Sequence, residues 1–218
     1  MFRRDSDDVL RDPALDGMGW LQHGFGTRLS AGWPGAGESA TAKQIHSDRV
    51  LLVVSPGPQG EGDALISNRP GIGLAIRTAD CLPILIADPR NRAVAAVHAG
   101  WRGVVAEVAS RTIDAMSRHF DSKPEDLVVA IGPGIGACCF EVGPEVSVQF
   151  GLSGRTKVDL VGTMCRQLRR NGVRPGQTSN SGQCTYCNGD LFESYRRDGQ
   201  GSGRMVAMIT VGRNGRRG

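Results

Sequence analysis

The chain has 218 residues, 39% apolar and 22% charged, which suits one folded α/β domain and excludes a disordered chain. The formal charge of +4 is mild and scattered; it gives no case for nucleic acid and is equally compatible with an anionic small molecule. No stretch is long and apolar enough to span a membrane, and the opening MFRRDSDDVLRDPALDG lacks the apolar core of a signal peptide. A cytoplasmic protein is therefore expected, with six cysteines that serve as thiols or ligands rather than as a disulfide framework.

In chain order, residues 1–19 read as a polar, loose or edge segment ahead of a single domain over 20–218. Residues 22–41 are rich in Gly, Ser and Pro and read mostly as loop. Strands are expected at 50–54, 64–66, 72–77, 82–87 and 93–97, with the polar step Thr78-Ala79-Asp80-Cys81 dividing the third from the fourth. Val104, Val108, Ile113 and Met116 recur at roughly helical spacing and predict one helix over 103–120. A strand at 127–131, a helix over 158–171 ended by Gly172, and a last strand at 205–211 complete the reading. Strands outnumber helices and do not alternate strictly with them, so a mixed sheet system with helices outside is expected rather than a doubly wound fold. Neither a strand–GxGxxG–helix fingerprint nor a phosphate-loop lysine motif occurs.

Only four histidines are present. His46, in KQIHSDRV, precedes a strand; His98, in AVAAVHAGW, ends one; Cys81, in TADCLP, lies at the break between two apolar runs. Strand ends facing loops are where α/β proteins place functional groups. Two imidazoles and a thiolate suit zinc and leave its fourth tetrahedral position open, the arrangement of a catalytic site. Taken singly, each is also an ordinary structural residue, since ligands this scattered have no diagnostic spacing. Asp80 adjoins Cys81 and reads either as a general acid or base or as a loop-holding hydrogen-bond acceptor. HAGWRGV reads as a strand, a Gly turn and a helix start, with Arg102 adding charge for an anion; Arg28, in HGFGTR, is a weaker anion candidate. CTYC, Cys184 to Cys187, and the pair Cys138-Cys139 lack a partner motif and read as structural or redox-sensitive thiols, with a second metal as the minor alternative.

Together and in this order, KQIHSDRV, GDALIS, TADCLPIL, AAVHAGWRG, IGPGIGACCFEVG and CTYCNGDLFESYRRDG resemble the laccase-domain family, once described as polyphenol oxidases and since as purine nucleoside phosphorylases with adenosine deaminase activity. The resemblance runs from about His23 to Val211. It implies an α/β/β/α sandwich of mixed sheets, and zinc on His46, Cys81 and His98. It further implies phosphorolysis of adenosine, inosine and methylthioadenosine together with deamination of adenosine. Catalytic roles are then expected at Asp80, Cys81 and Arg102, and contacts to substrate or phosphate at Arg28, Gln44 and Arg102. The expected partners are a purine nucleoside and phosphate, with no nucleic acid and no membrane; the oligomeric state is left open. The chain departs from the family in a shortened stretch between Arg28 and His46, and in Ser47 where members usually carry Gly.

Rival readings remain. A multicopper oxidase needs many histidines, typically as H-x-H pairs, and four with no such pair cannot supply it; copper substituting adventitiously at one site is still open. A cytidine-deaminase-type centre would need H-x-E with P-C-x-x-C, which this chain does not carry. Two more readings fit the same residues: a metal-free hydrolase with Cys81 as nucleophile, including one that edits peptidoglycan precursors, and an inactive nucleotide-binding member.

Overall fold

The computed structural model describes residues 1–35 and 37–213; residue 36 of the shortened stretch, and 214–218 of the expected 20–218 unit, lie outside it. The chain is α/β with two main mixed sheets. One sheet has seven strands in the spatial order Arg3–Arg4, Leu10–Arg11, Leu21–Phe25, Met205–Val211, Gly73–Thr78, Ser39–Lys43 and Gly57–Glu61. The other has six, ordered Thr178–Asn180, Val128–Ile131, Leu82–Asp88, Ala93–Ala99, Ala64–Ser67 and Val50–Leu52. A small ladder pairs Glu141–Val142 with Thr156–Lys157. Among the described residues no helix is long and apolar enough to cross a membrane.

The central strands of the six-stranded sheet are buried on both faces, which is why they are continuously apolar instead of alternating. Along Ala93–Ala99, residues 93, 95, 97 and 99 join the core beneath the helices, while Val94 and Ala96 face the other sheet. Leu82–Asp88 divides the same way, with Ile84 and Ile86 toward the helices and Leu85 and Ala87 between the sheets. The helices Val108–Phe120 and Leu160–Arg170 supply the outer apolar layer through Ile113, Met116, Met164 and Leu168.

Three local expectations are corrected. The predicted helix over 103–120 is two helices, Trp101–Val105 and Val108–Phe120, broken where Glu107 takes a left-handed φ of 60°. In an unbroken helix the Val104 carbonyl would accept from residue 108. Here it accepts from the Glu107 N–H at 3.1 Å and from Gln167 Nε2 at 2.8 Å, a side chain of the neighbouring helix. Trp101, the first residue of the first short helix, lines a cleft. The predicted 22–41 loop contains two strands, Leu21–Phe25 and Ser39–Lys43. Gly24 is a point of close approach and not a turn: a Cβ there would lie 2.5 Å from Val9 Cγ1 and 2.7 Å from Trp33 Cζ2. Finally, Gly57–Glu61 and Thr178–Asn180, unassigned from sequence, are strands at or near sheet edges.

Residues 1–19 form the edge of the seven-stranded sheet, and they are not loosely attached. Phe2, Leu10 and Leu15 enter the core between the sheets. Asp12 caps the short helix Pro13–Asp16, and its own N–H donates to His23 Nε2 at 2.9 Å. Burial, reinforced by nearby Arg11, holds His23 down at a pKa of about 4, so its ring accepts as a neutral imidazole.

Candidate metal centre

His46, Cys81 and His98 converge, with one ligand atom from each lying within 4.8 Å of the others. His98 ends the fully buried Ala93–Ala99 strand and is itself buried. Cys81 sits in the turn between Gly73–Thr78 of one sheet and Leu82–Asp88 of the other. His46 follows the Ser39–Lys43 strand with a left-handed φ of 60°, and its Nε2 lies 3.9 Å from Cys81 Sγ. The two imidazoles meet edge to face, their centroids 4.9 Å apart.

Asp63 organises this constellation, and sequence reasoning assigned it no role. Its buried carboxylate accepts from the backbone N–H of His46 at 3.0 Å and of Ser47 at 2.6 Å, and from Ser47 Oγ at 2.7 Å. The same carboxylate takes His98 Nδ1 at 2.8 Å, and the Asp63 carbonyl accepts from the His98 N–H at 2.7 Å. Nδ1 is thereby fixed as the protonated nitrogen, leaving Nε2 of His98 as its donor atom. Ser47 adds the hydroxyl bond that fastens the His46 turn to Asp63. The signal for Asp63 was present in GDALIS, just ahead of a buried strand.

The electrostatics follow from this packing. Burial pushes Asp63 up, but bonds from His98 and Ser47 outweigh it and hold the carboxyl at about 2. Burial pulls His98 down, and bonds to Asp63 and Cys81 outweigh that, raising it to about 9. Burial raises Cys81, and hydrogen bonding to His46 and His98 brings it down to about 7. The site therefore favours the Cys81 thiolate, the state in which that residue ligates, while the His98 imidazolium beside it gives up its Nε2 proton when a metal binds. Gly100 leaves the room: a Cβ there would lie 2.9 Å from both Cys81 Sγ and His46 Cδ2. Two nitrogens and one sulfur, a carboxylate behind one imidazole and a glycine-made clearance fit a tetrahedral divalent ion with one position open.

The three donors lie at the floor of a cleft of about 1080 Å³. Trp101, Phe140, Val146 and Tyr195 give it flat and apolar wall, and Arg77, Arg155, Arg196 and Arg204 give it positive charge. Arg196 lies over the Phe140 ring at 5.4 Å and donates to the Glu141 carbonyl at 2.7 Å. Arg155 lies 3.4 Å from Glu141, whereas among the described residues neither Arg77 nor Arg204 pairs with an acid. These side chains went unassigned from sequence, although IGPGIGACCFEVG and SYRRDG contain several of them.

The remaining sequence candidates are placed as follows. Asp80 has a left-handed φ of 82°, and its carboxylate accepts from Thr185 Oγ1 and from the Arg196 N–H, both at 2.6 Å. Its carbonyl accepts from the Ile135 N–H at 2.8 Å, so Asp80 ties the Cys81 turn to two other loops. Gln44 lines the cleft and spends its amide on the Arg77 backbone, accepting from N–H at 2.8 Å and donating to the carbonyl at 2.7 Å. Arg102 stacks on the Trp101 ring at 4.3 Å and is not among the cleft-lining residues. Arg28 is also away from the cleft, donating to the Gly189 carbonyl at 2.6 Å and lying 3.5 Å from Glu193.

Known proteins share this architecture. YlmD from Geobacillus stearothermophilus superposes with a TM-score of 0.88 at 25% identity, over 97% of this chain and 98% of its own. A purine nucleoside phosphorylase of Deinococcus radiodurans is 41% identical over 188 residues, 82% of this chain and 72% of that one. Escherichia coli YfiH, also named a purine nucleoside phosphorylase, is 37% identical over 179 residues, 77% of this chain and 71% of its own. The model of the family described as multi-copper polyphenol oxidoreductase laccase matches residues 27–212, and the chain belongs to that family.

Proposed function

We propose that this protein is a zinc-dependent purine nucleoside phosphorylase acting on adenosine, inosine and methylthioadenosine, with adenosine deaminase activity at the same site. The carrying observation is the convergence of His46, Cys81 and His98 at the floor of a cleft with aromatic wall and arginine side chains. The names of the two bacterial relatives support the phosphorylase reading.

In phosphorolysis a phosphate oxygen bonds to ribose C1′ while the C1′–N9 bond breaks. The electron pair leaves with the purine, which takes up a proton. The chain's part is positioning and charge. Arg77 and Arg204 bind and orient the phosphate, in place of Arg102 and Arg28, which lie off the cleft. Phe140 and Trp101 offer ring faces for the purine. Asp80 positions Cys81, since its carboxylate is already engaged by Thr185 and Arg196. In deamination a water oxygen adds at purine C6 and ammonia leaves. His46, Cys81 and His98 would hold the zinc, which when bound would supply Lewis acidity for this step. Asp63 keeps His98 in the donor tautomer throughout.

A second reading is favoured by one observation. Asp63, His98 and Cys81 also make a carboxylate–imidazole–thiol series with Cys81 brought down to about 7, as a cysteine hydrolase would need. Purified protein incubated with adenosine and phosphate, with adenine, ribose 1-phosphate and inosine followed, separates the two. Phosphate-dependent adenine that disappears together with zinc in Cys81→Ala supports the phosphorylase. A metal-free protein that hydrolyses substrate and is inactivated by alkylation at Cys81 supports the hydrolase.

A further inference from the structure

The loop after Gly132 and the segment before the Tyr195–Asp198 helix bring four cysteines together. Cys138, Cys139, Cys184 and Cys187 each place a sulfur within 4.8 Å of the others, although 44 or more residues separate the two pairs. We propose that these four thiolates form a second, closed metal site that binds one zinc ion and staples the two loops forming the cleft wall.

The spacing argues for an ion at the centre. Tetrahedral zinc with bonds of about 2.3 Å holds its sulfurs about 3.8 Å apart. Cys187 Sγ lies 3.6 Å from Cys138 Sγ and 3.4 Å from Cys139 Sγ, nearly equidistant from two candidate partners. A disulfide needs one exclusive partner at about 2.05 Å, and all four cysteines are free. Simple burial does not explain the cluster either. Cys138 and Cys187 are exposed and the other two only half-buried, so the thiols are not gathered as small hydrophobes.

The backbone beside Cys184 favours negative charge on that sulfur. The Gly136 N–H donates to Cys184 Sγ at 3.2 Å. The turn is braced from outside: Arg197 Nη1 donates to the carbonyls of Thr185 at 3.0 Å and Tyr186 at 3.2 Å. Gly136 makes the approach possible, since a Cβ there would lie 3.2 Å from both Cys138 Sγ and Cys184 Cβ. The two loops also meet at the bridge between Gly134 and Cys184, at the Thr185 N–H bond to the Gly134 carbonyl at 3.0 Å, and at the Arg196 bond to the Glu141 carbonyl at 2.7 Å. On binding, each thiol gives its proton to solvent and four sulfur–metal bonds form, with no change of oxidation state. All-sulfur ligation suits zinc and leaves no open position for chemistry.

The consequence for the cleft is positional. Phe140 follows Cys139 directly, Thr185 between the cysteines of CTYC holds Asp80, and Tyr195 and Arg196 lie at the end of the same segment. Zinc here would fix those walls relative to Cys81.

The proposal does not depend on the His46 site, and the test keeps them apart. Cys81→Ala protein, purified under reducing conditions with zinc and then dialysed, is analysed for metal, alone and combined with Cys187→Ser. We expect one zinc per chain in Cys81→Ala, none in the double variant, and strong thiolate-to-cobalt absorption when cobalt replaces zinc in the first. Should the double variant not fold, Cys138 and Cys187 in Cys81→Ala are alkylated with and without zinc; protection by zinc is the expected result. Metal-free Cys81→Ala whose four thiols alkylate at the same rate with and without zinc would overturn the proposal, as would a Cys187 disulfide persisting under reducing conditions.

Discussion

The two cysteine-bearing clusters flank one cleft and are built in opposite ways. His46, Cys81 and His98 sit at strand ends drawn from both sheets, backed by a buried carboxylate, with three donors and one side open to a cleft of about 1080 Å³. Cys138, Cys139, Cys184 and Cys187 sit on loops, partly exposed, with four donors and no side left open. The difference separates chemistry from scaffolding. An open donor set on a rigid sheet can present an ion to substrate, and a closed one on loops can only hold the loops together.

Substitutions should expose that contrast. The largest effect is expected from Cys81→Ala: loss of the open-site metal and a fall in phosphorolysis of more than about 100-fold, read by metal analysis and product assay. Asp63→Asn comes next, because it keeps the shape but removes the charge behind His98; zinc affinity at the open site should fall about 10- to 100-fold, read by chelator competition. Cys187→Ser should do the reverse of Cys81→Ala. It should lower the melting temperature in zinc, by removing a ligand-linked stabilisation, and change phosphorolysis by less than about tenfold, mainly through KM.

The smallest effect lies outside both clusters. His23 is held down at about 4 by burial, below its ordinary 6.5, so between those values the unfolded chain binds a proton that the folded chain does not. Stability should therefore fall as pH drops from about 6.5 toward 4, by at most about 3 kcal/mol from this group. In His23→Gln, denaturant titrations across that window should show a flatter dependence, whereas a slope equal to that of the unsubstituted protein would assign the acid sensitivity elsewhere.

The fold was legible where burial leaves a pattern. Ala93–Ala99 and Leu82–Asp88 read as strands because both faces are covered, and His98 and Cys81 read as candidates because they end or interrupt such runs. The helix break at Glu107 was hidden, because VVAEVAS contains no Gly or Pro and the break is sustained by Gln167, more than fifty residues away. The strand Leu21–Phe25 was hidden by glycines that serve close packing against Trp33 rather than turning. Asp63 was hidden for a related reason. Its partners His46, Ser47 and His98 come from both sides of it in sequence, and only the sheet brings them to one carboxylate. The meeting of Cys138 and Cys139 with CTYC likewise rests on the Gly134–Cys184 bridge, which has no local signature.

The most direct measurement is ribose 1-phosphate formation from adenosine and phosphate by protein stripped of metal and then reloaded with zinc. We expect activity to vanish on stripping and to return with one equivalent bound at His46, Cys81 and His98. Full activity in the stripped protein would contradict an open metal site as the seat of the chemistry.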